Sequence, residues 1–259
     1  MSIYQNIEVE NNQGLFWLTL NRPDVRNALD ATMLQEINQA VTEAEEDENV
    51  KVIIFRGAGG KSFAAGADIK QLKEREPIEA LVPGMQGLYK KIEDCSKATI
   101  AVVEGYALGG GCELALSCDI RVATDNAKLG LPELNLGIIP GAGGTQRLSR
   151  IVGKGHALDM ILTGKIVKGD DAYRMGLVQY YVTQEELDEQ IDSITEKIVQ
   201  KGPVAIKLAK HAVHHGYDLS GEAAMWIEKL SQAVVFGTED KQEGTSAFLE
   251  KRKPDFKNR

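Results

Sequence analysis

A run of three glycines begins a helical pattern and restricts how the backbone there can fold. The run Gly109–Gly111 leads into Cys112, Glu113 and a series of apolar residues. A glycine costs a helix about 1 kcal/mol relative to alanine, so this run indicates a backbone that must approach another group closely. The first N–H groups of a helix lack an intrahelical acceptor and lie at the positive end of the helix dipole, which makes the Gly110 amide a candidate donor to an oxyanion. Glu113 has two interpretations, a reactive group or an acidic residue that favours a helix N-terminus.

A second glycine-rich loop follows a predicted buried strand at residues 52–55. The segment Phe63-Ala-Ala-Gly-Ala-Asp-Ile-Lys70 comes after this loop and begins a second helix. Gly66 permits backbone conformations that other residues avoid, and it could direct the Ala67 amide into a pocket shared with Gly110. Two convergent amides of this kind form an oxyanion hole.

A third segment supplies another carboxylate. Glu133 follows Pro132 and precedes the glycine-rich turn Pro140-Gly-Ala-Gly-Gly144, which we expect to pack a helix start close beneath Glu133. An exposed loop charge is the alternative interpretation of Glu133. Two carboxylates near an oxyanion hole are suited to acid–base chemistry beside a carbonyl group.

Strand and helix patterns alternate along the first two thirds of the chain. A strand at 15–20 precedes a helix that Asp30 caps, with Met33, Ile37 and Val41 on one face. Further strands are predicted at 99–103 and 119–124, and the repeated order of strand, glycine-rich loop and helix indicates an α/β fold. Helical patterns dominate the last sixty residues, so we place a catalytic core at residues 1–200 and a helical region at residues 201–259.

Composition excludes several functional classes. The chain has 259 residues, 43% of them hydrophobic, and a net charge of −8. An acidic surface disfavours nucleic-acid binding, which needs a basic field. The sequence as given shows no apolar run of membrane-spanning length and no targeting segment, which predicts a soluble, cytoplasmic protein, although an organellar enzyme without its presequence would look similar.

Neither the cysteines nor the histidines have the spacing of a metal site. Cys95, Cys112 and Cys118 are too irregular for a disulfide framework or a zinc site, and they suit a reducing compartment. His211, His214 and His215 share a helical face, but a solvated or interfacial cluster is the better interpretation. We therefore predict no metal.

Four blocks in order resemble the crotonase superfamily, and together they most resemble its enoyl-CoA hydratases. These blocks are Phe63-Ala-Ala-Gly-Ala-Asp-Ile-Lys70, Gly105-Tyr-Ala-Leu-Gly-Gly-Gly-Cys-Glu-Leu114, Pro132-Glu133 and Ile139-Pro-Gly-Ala-Gly-Gly-Thr-Gln-Arg-Leu148. The resemblance implies a spiral of ββα units followed by C-terminal helices that pack on neighbouring subunits, giving trimers that pair into a homo-hexamer. It also implies an acyl-CoA thioester as substrate and no separate cofactor, because coenzyme A is part of that substrate.

The resemblance also implies a role for each candidate site residue. Ala67 and Gly110 are the oxyanion-hole donors, Glu113 is the base that activates water, and Glu133 delivers a proton to the α-carbon. The residues expected around the coenzyme A moiety are Arg26, Ala28, Ala65, Asp68, Ile69 and Lys70, the first two near the 3′-phosphate end. Lys251 in the basic tail is a further candidate. Ordinary solvated charge is the alternative for Arg26, Lys70 and Lys251, and Asp68 has an alternative role as a helix cap.

Two other functions stay open at this point. A Δ3,Δ2-enoyl-CoA isomerase would use the same oxyanion hole but typically one carboxylate, and the presence of both glutamates argues against it. A non-catalytic acyl-CoA-binding or RNA-binding relative is the second, and the acidic composition disfavours RNA. The acyl chain length is undetermined, although we expect the segment 71–86 to border the acyl pocket.

Overall fold

The computed structural model describes residues 4–259, and it has the predicted α/β fold. The strands of the described part are β1 (Ile7–Asn12), β2 (Leu15–Leu20), β3 (Val52–Gly57), β4 (Ser62–Ala64), β5 (Ala98–Val103), β6 (Tyr106–Leu108), β7 (Ile120–Thr124), β8 (Lys128–Gly130), β9 (Ile166–Lys168) and β10 (Tyr180–Val182). The helices are α1 (Ala31–Glu46), α2 (Ile69–Glu74), α3 (Met85–Asp94), α4 (Gly110–Ser117), α5 (Gly144–Thr163), α6 (Gly169–Arg174), α7 (Leu187–Val199), α8 (Pro203–Gly216), α9 (Gly221–Phe236) and α10 (Glu239–Leu249). Short 3-10 turns occur at Pro23–Val25, Glu79–Leu81 and Glu133–Leu136.

The strands form two sheets. The first has the order β1-β2-β3-β5-β7-β10, and the second has the order β4-β6-β8-β9. Each repeat places its first strand in one sheet and its second strand in the other, so that β3, β5 and β7 pair in parallel and so do β4, β6 and β8. Helices follow the second strand of each repeat, which gives the predicted spiral of ββα units.

Helix α1 forms where the sequence predicts it. The side chain of Asp30 accepts a hydrogen bond of 2.8 Å from the Met33 amide and caps the helix. Met33, Ile37 and Val41 are fully buried against the six-stranded sheet and the rest of the main core. The opposite face of that sheet packs on a second cluster that includes Ile191 and Ile194 of α7.

The half-buried carboxylate of Asp119 attaches the first C-terminal helix to the core. Asp119 Oδ2 lies 2.8 Å from Lys210 Nζ, and its Oδ1 lies 3.1 Å from His214 Nε2. The same carboxylate accepts a hydrogen bond from the Thr99 amide at the start of β5. The C-terminal helices α8–α10 occupy residues 203–249, while a boundary at residue 200 stays a prediction.

Helix α9 contributes no buried residue, although its apolar side chains are large. Those that are more than half exposed are Met225, Trp226, Leu230, Val234 and Phe236. A helix with this much uncovered apolar surface is typical of a face that meets another chain. Among residues 4–259, no helix combines the length and apolar character needed to cross a bilayer.

Candidate active site

The structure requires glycine at the start of α4 for a different reason at each of the three positions. Gly109 has φ +51°, and its amide donates a hydrogen bond of 2.9 Å to Gly130 O, which fixes the turn between β6 and α4. A Cβ added at Gly111 would lie 2.1 Å from Ala64 O, so this glycine permits the close packing of α4 on β4. Gly110 lies between them, at the first helical position, where an amide has no intrahelical acceptor.

The loop before α2 brings a second free amide toward Gly110. Gly66 has φ +100°, and its carbonyl accepts a hydrogen bond of 2.8 Å from the Leu29 amide. A Cβ added at Gly66 would lie 2.9 Å from Leu108 O and 3.5 Å from Gly110 N. The two glycine-rich loops are therefore in close contact, and only a residue without a side chain fits between them.

The amides of Ala67 and Gly110 donate to no protein acceptor within residues 4–259. Their neighbours do, since Asp68 N donates to Leu29 O and Gly109 N donates to Gly130 O. A Cβ added at Gly110 would lie 3.5 Å from Ala67 N, so the two free amides belong to one small region. This arrangement can bind a negatively charged oxygen.

Glu113 lies one turn into α4, where it is 2% exposed. Its Oε1 accepts hydrogen bonds of 2.8 Å from the amides of Ala142 and Gly144. Burial raises the pKa of Glu113, while the two amides and the positive charge of Arg147 limit the rise. Two amides of the glycine-rich turn 140–144 therefore bind Glu113, and the expectation that this turn packs a helix start beneath Glu133 stays a prediction.

Glu133 begins a 3-10 turn directly after Pro132 and is 9% exposed, so the alternative of an exposed loop charge is wrong. Its Oε2 has no hydrogen-bond partner among the described residues. Burial raises the pKa of Glu133 to about 7, and the charge of Glu113 adds to the rise. A Cβ added at Gly109 would lie 3.2 Å from Glu133 Oε1, which places this carboxyl group beside the start of α4.

We expect Glu133→Gln to raise the free energy of unfolding near neutral pH and above. The folded-state pKa is higher than the unfolded value, so the stability that this proton contributes is complete below the ordinary pKa of 4.5 and is lost as the pH rises through about 7. Removing the buried charge should therefore stabilise the protein by as much as about 3 kcal/mol at about pH 8. Urea denaturation of the wild type and the variant measures the difference.

The same comparison at about pH 3.5 is the control, because there the wild-type carboxyl group is largely protonated in both states. The stabilisation by Glu133→Gln should nearly vanish at that pH. An equal effect at both pH values, or none at about pH 8, would contradict the assignment of a raised pKa to Glu133.

Six further candidates lie on the two segments that flank the free amide of Ala67. Arg26 is exposed with φ +56°, its guanidinium lies 6.0 Å from the centre of the Tyr106 ring, and its carbonyl accepts from the Ala65 amide. Ala28 is half-buried, and Ile69 and Lys70 are exposed at the start of α2. The six are Arg26, Ala28, Ala65, Asp68, Ile69 and Lys70.

Asp68 also has a structural role, and the seventh candidate, Lys251, lies on neither of these segments. The side chain of Asp68 accepts 3.1 Å from the Lys70 amide, so it does cap α2. Lys251 follows α10, and within residues 4–259 no hydrogen bond or ion pair links it to the segments around Ala67. Contact of either residue with coenzyme A stays a prediction.

Two residues near the N-terminus were missed by sequence reasoning. Arg22 donates 2.7 Å to Ala28 O and lies 3.1 Å from Asp30 and 3.6 Å from Asp68, so it ties together the segments around the Ala67 loop. Asn27 is fully buried at φ +55°, and its amide group donates to Ser62 O at 2.7 Å. The polar Asn-Arg-Pro turn that ends at Pro23 was the available signal, but it does not reveal these partners.

Helix α3 supplies two further neighbours of Gly110. The hydroxyl of the fully buried Tyr89 donates 2.7 Å to Gly110 O, which holds the first turn of α4. A Cβ added at Gly110 would lie 2.8 Å from Met85 Sδ, so this thioether borders the amide. Met85 lies in the segment 71–86 that we expect to border an acyl pocket.

The histidine cluster of α8 has structural partners. His214 bonds Asp119, and the rings of His211 and His215 lie 5.2 Å apart. Across the part of the chain that the structure describes, no group of three or more His, Cys, Asp or Glu side chains could hold a metal ion. The cysteines Cys95, Cys112 and Cys118 are free and buried.

Known proteins resemble this chain along nearly its whole length. A model of the enoyl-CoA hydratase/isomerase family matches residues 10–259. A short-chain-enoyl-CoA hydratase of Clostridium acetobutylicum is 45% identical over 257 residues, and a crotonyl-CoA hydratase of Syntrophomonas wolfei is 45% identical over 255 residues, with 98% of each chain covered in both comparisons. The crystal structure of an enoyl-CoA hydratase from Bacillus anthracis superposes with a TM-score of 0.94 at 39% identity, covering 98% of this chain and all of that one.

Proposed function

The chain belongs to the enoyl-CoA hydratase/isomerase family, and we propose that it adds water across the double bond of a trans-2-enoyl-CoA to form a 3-hydroxyacyl-CoA. The observation that carries this proposal is the placement of two buried carboxyl groups beside two free backbone amides. Addition of water to a conjugated thioester needs a base, an acid and a site for the developing charge. Glu113, Glu133 and the amides of Ala67 and Gly110 supply these three parts.

The water is activated by Glu113 in this mechanism. Its Oε1 is held by two amides, which leaves Oε2 to accept a proton from the water. The water oxygen forms a bond to the β-carbon, and the electron pair of the double bond moves through the α-carbon onto the thioester oxygen. Ala67 and Gly110 stabilise that oxygen, and a single oxyanion-hole donor contributes on the order of 3 kcal/mol.

Glu133 completes the addition by giving its proton to the α-carbon as the thioester carbonyl reforms. Its environment suits an acid. Burial without a hydrogen-bond partner for Oε2 favours the protonated form and raises the pKa of Glu133 to about 7. Glu113 differs, since two amides support its charged form. Glu113 then loses a proton and Glu133 regains one before the next turnover, so the protons balance.

The coenzyme A moiety of the substrate needs its own binding groups. The side of the Ala67 loop that carries Arg26 and Lys70 offers positive charge to the phosphates, which supports their proposed role. The steps above are proton transfers and an addition, so coenzyme A enters only as part of the substrate.

We also propose that the protein is cytoplasmic and that it assembles as a hexamer of paired trimers. The exposed apolar face of α9 supports the proposed assembly.

The experiment that tests this function compares two thioesters. Purified protein should remove the conjugated-enone absorbance of crotonyl-CoA and form the 3-hydroxyacyl product. A 3-enoyl-CoA of equal chain length should be converted much more slowly. Rapid isomerisation of the 3-enoyl-CoA with no hydration of crotonyl-CoA would instead assign the isomerase reaction, and no reaction with either thioester would favour a binding role.

The rate should show a bell-shaped dependence on pH. We expect kcat/KM to rise as Glu113 ionises and to fall above about pH 7, where Glu133 in the free enzyme loses its proton. Initial rates with crotonyl-CoA at low substrate concentration measure the profile. The variant Glu133→Gln should lack the descending limb, and an unchanged limb in that variant would assign it to another group.

A further inference from the structure

An ion pair between α3 and α5 lies close to the proposed base. Arg147 Nε and Nη2 donate to Glu93 Oε1 and Oε2, each at 3.1 Å, so the pair is bidentate. The side chains of Arg147 and Glu93 are only 11% and 21% exposed, respectively. A second pair one turn along α5, between Arg150 and Asp218, is 40% and 63% exposed. The two pairs therefore have similar chemistry but very different burial.

Arg147 also holds the turn that binds Glu113. Its Nη1 donates 3.0 Å to Ala142 O, and a Cβ added at Gly143 would lie 2.2 Å from the same nitrogen. Ala142 O belongs to the peptide group between the two peptide groups whose amides hold Glu113. A guanidinium group fixed by Glu93 thus restrains the peptide group in the middle of this turn.

We propose that Glu93 and Arg147 are positioning residues that hold the 142–144 turn and thereby orient Glu113 for proton abstraction. The proposal rests on the proposed function of Glu113 as the base. It assigns a catalytic consequence to two side chains that touch neither water nor substrate in the mechanism. Displacement of a reacting group by about 1 Å can cost roughly 10²-fold in rate, so a loose turn should be visible in kcat.

The ion pair of Glu93 and Arg147 should also affect the pKa of Glu113, because Arg147 is one of the titratable groups around it. Arg147 faces it from α5, Glu133 from the 3-10 turn, Tyr89 from α3 and Cys112 from its own helix. Burial raises the pKa of both the phenol and the thiol, so both are neutral at neutral pH. Arg147 is therefore the cation of this set and favours the charged form of Glu113.

The first test is steady-state kinetics with crotonyl-CoA. We expect Glu93→Gln and Arg147→Lys each to lower kcat by roughly 10-fold to 100-fold with KM changed less than about twofold, because neither side chain contacts the substrate. The matched control is Asp218→Asn, which breaks the exposed pair and should leave both parameters unchanged. Wild-type kcat in Glu93→Gln would overturn the proposal.

The pH profile separates positioning from general structural damage. Arg147→Gln removes a positive charge and should move the ascending limb of kcat/KM to higher pH, whereas Arg147→Lys keeps the charge and should leave that limb in place. Glu93→Gln should not move the limb upward, because Arg147 stays charged. A limb that is identical in all variants would contradict an effect through Glu113.

A double variant completes the test, and the single variant Glu93→Gln guards against a failure of the Arg147 variants to fold. The loss in Glu93→Gln/Arg147→Gln should be no larger than in Arg147→Gln alone, since both changes release one turn. Multiplied losses would contradict the proposal. Circular dichroism monitors folding, and Glu93→Gln still tests the inference if Arg147→Gln does not fold.

Failure of this inference is distinguishable from failure of the proposed function. If the wild type hydrates crotonyl-CoA and Glu113→Gln does not, a normal Glu93→Gln variant overturns only the positioning role. If the wild type does not hydrate the thioester, or Glu113→Gln is fully active, the proposed function itself fails and this inference fails with it.

Discussion

Glu113→Gln and Glu133→Gln are each expected to lower kcat for hydration of crotonyl-CoA by about 10²-fold to 10⁴-fold. In Glu113→Gln the side-chain amide oxygen can still accept the two hydrogen bonds from Ala142 and Gly144, but the side chain cannot take a proton from water. In Glu133→Gln the side chain has no acidic proton to give to the α-carbon. The decay of the conjugated-enone absorbance measures both losses.

The control for these variants is Glu10→Gln, which changes an exposed carboxylate on β1 and should leave kcat unchanged. Thermal unfolding should show that all three variants fold, with Glu133→Gln at least as stable as the wild type at about pH 8. A folded double variant, Glu113→Gln/Glu133→Gln, with wild-type kcat would refute the acid–base mechanism.

Gly66→Ala should have the second largest effect, a loss of about 10²-fold to 10³-fold in kcat, by disturbing one donor of the oxyanion hole. The added methyl group would meet Leu108 O at 2.9 Å, and the backbone at φ +100° is one that alanine avoids. Relief of both problems rotates the peptide group that carries the Ala67 amide. Steady-state kinetics and urea denaturation together measure the effects on rate and on stability.

The variant Gly176→Ala is the control for the effect of backbone strain alone. Gly176 has φ +79° and no atom within 4 Å of an added Cβ, so this change costs about 1–2 kcal/mol of left-handed strain without touching the site. It should lower stability and leave kcat unchanged. If Gly66→Ala is folded and as active as Gly176→Ala, the Ala67 amide does not act as a donor.

The local parts of the fold were predictable from sequence because their causes are local. The cap by Asp30 and the spacing of Met33, Ile37 and Val41 determine α1 whatever surrounds it. The glycine runs likewise indicated which backbone segments approach each other. Strands β4, β6 and β8 have three residues each, which is too short for a periodic pattern, so the second sheet was not visible.

The site was less predictable where its contacts join distant segments. The turn 140–144 follows Glu133 in sequence, yet its amides bind Glu113, because the start of α5 also packs on α4. The pair of Glu93 and Arg147 joins residues 54 positions apart. Burial of Glu133 depends on elements before and after it, and no spacing within its own segment indicates this.

The measurement that tests the central claim most directly is the fate of solvent in the product. Crotonyl-CoA incubated with the protein in ¹⁸O-labelled D₂O should give 3-hydroxybutyryl-CoA with one ¹⁸O on the β-carbon and one deuterium on the α-carbon. The folded Glu113→Gln/Glu133→Gln variant should give almost none of this product in the same time. Equal labelling by the wild type and this variant, or no labelling by the wild type, would contradict hydration by Glu113 and Glu133.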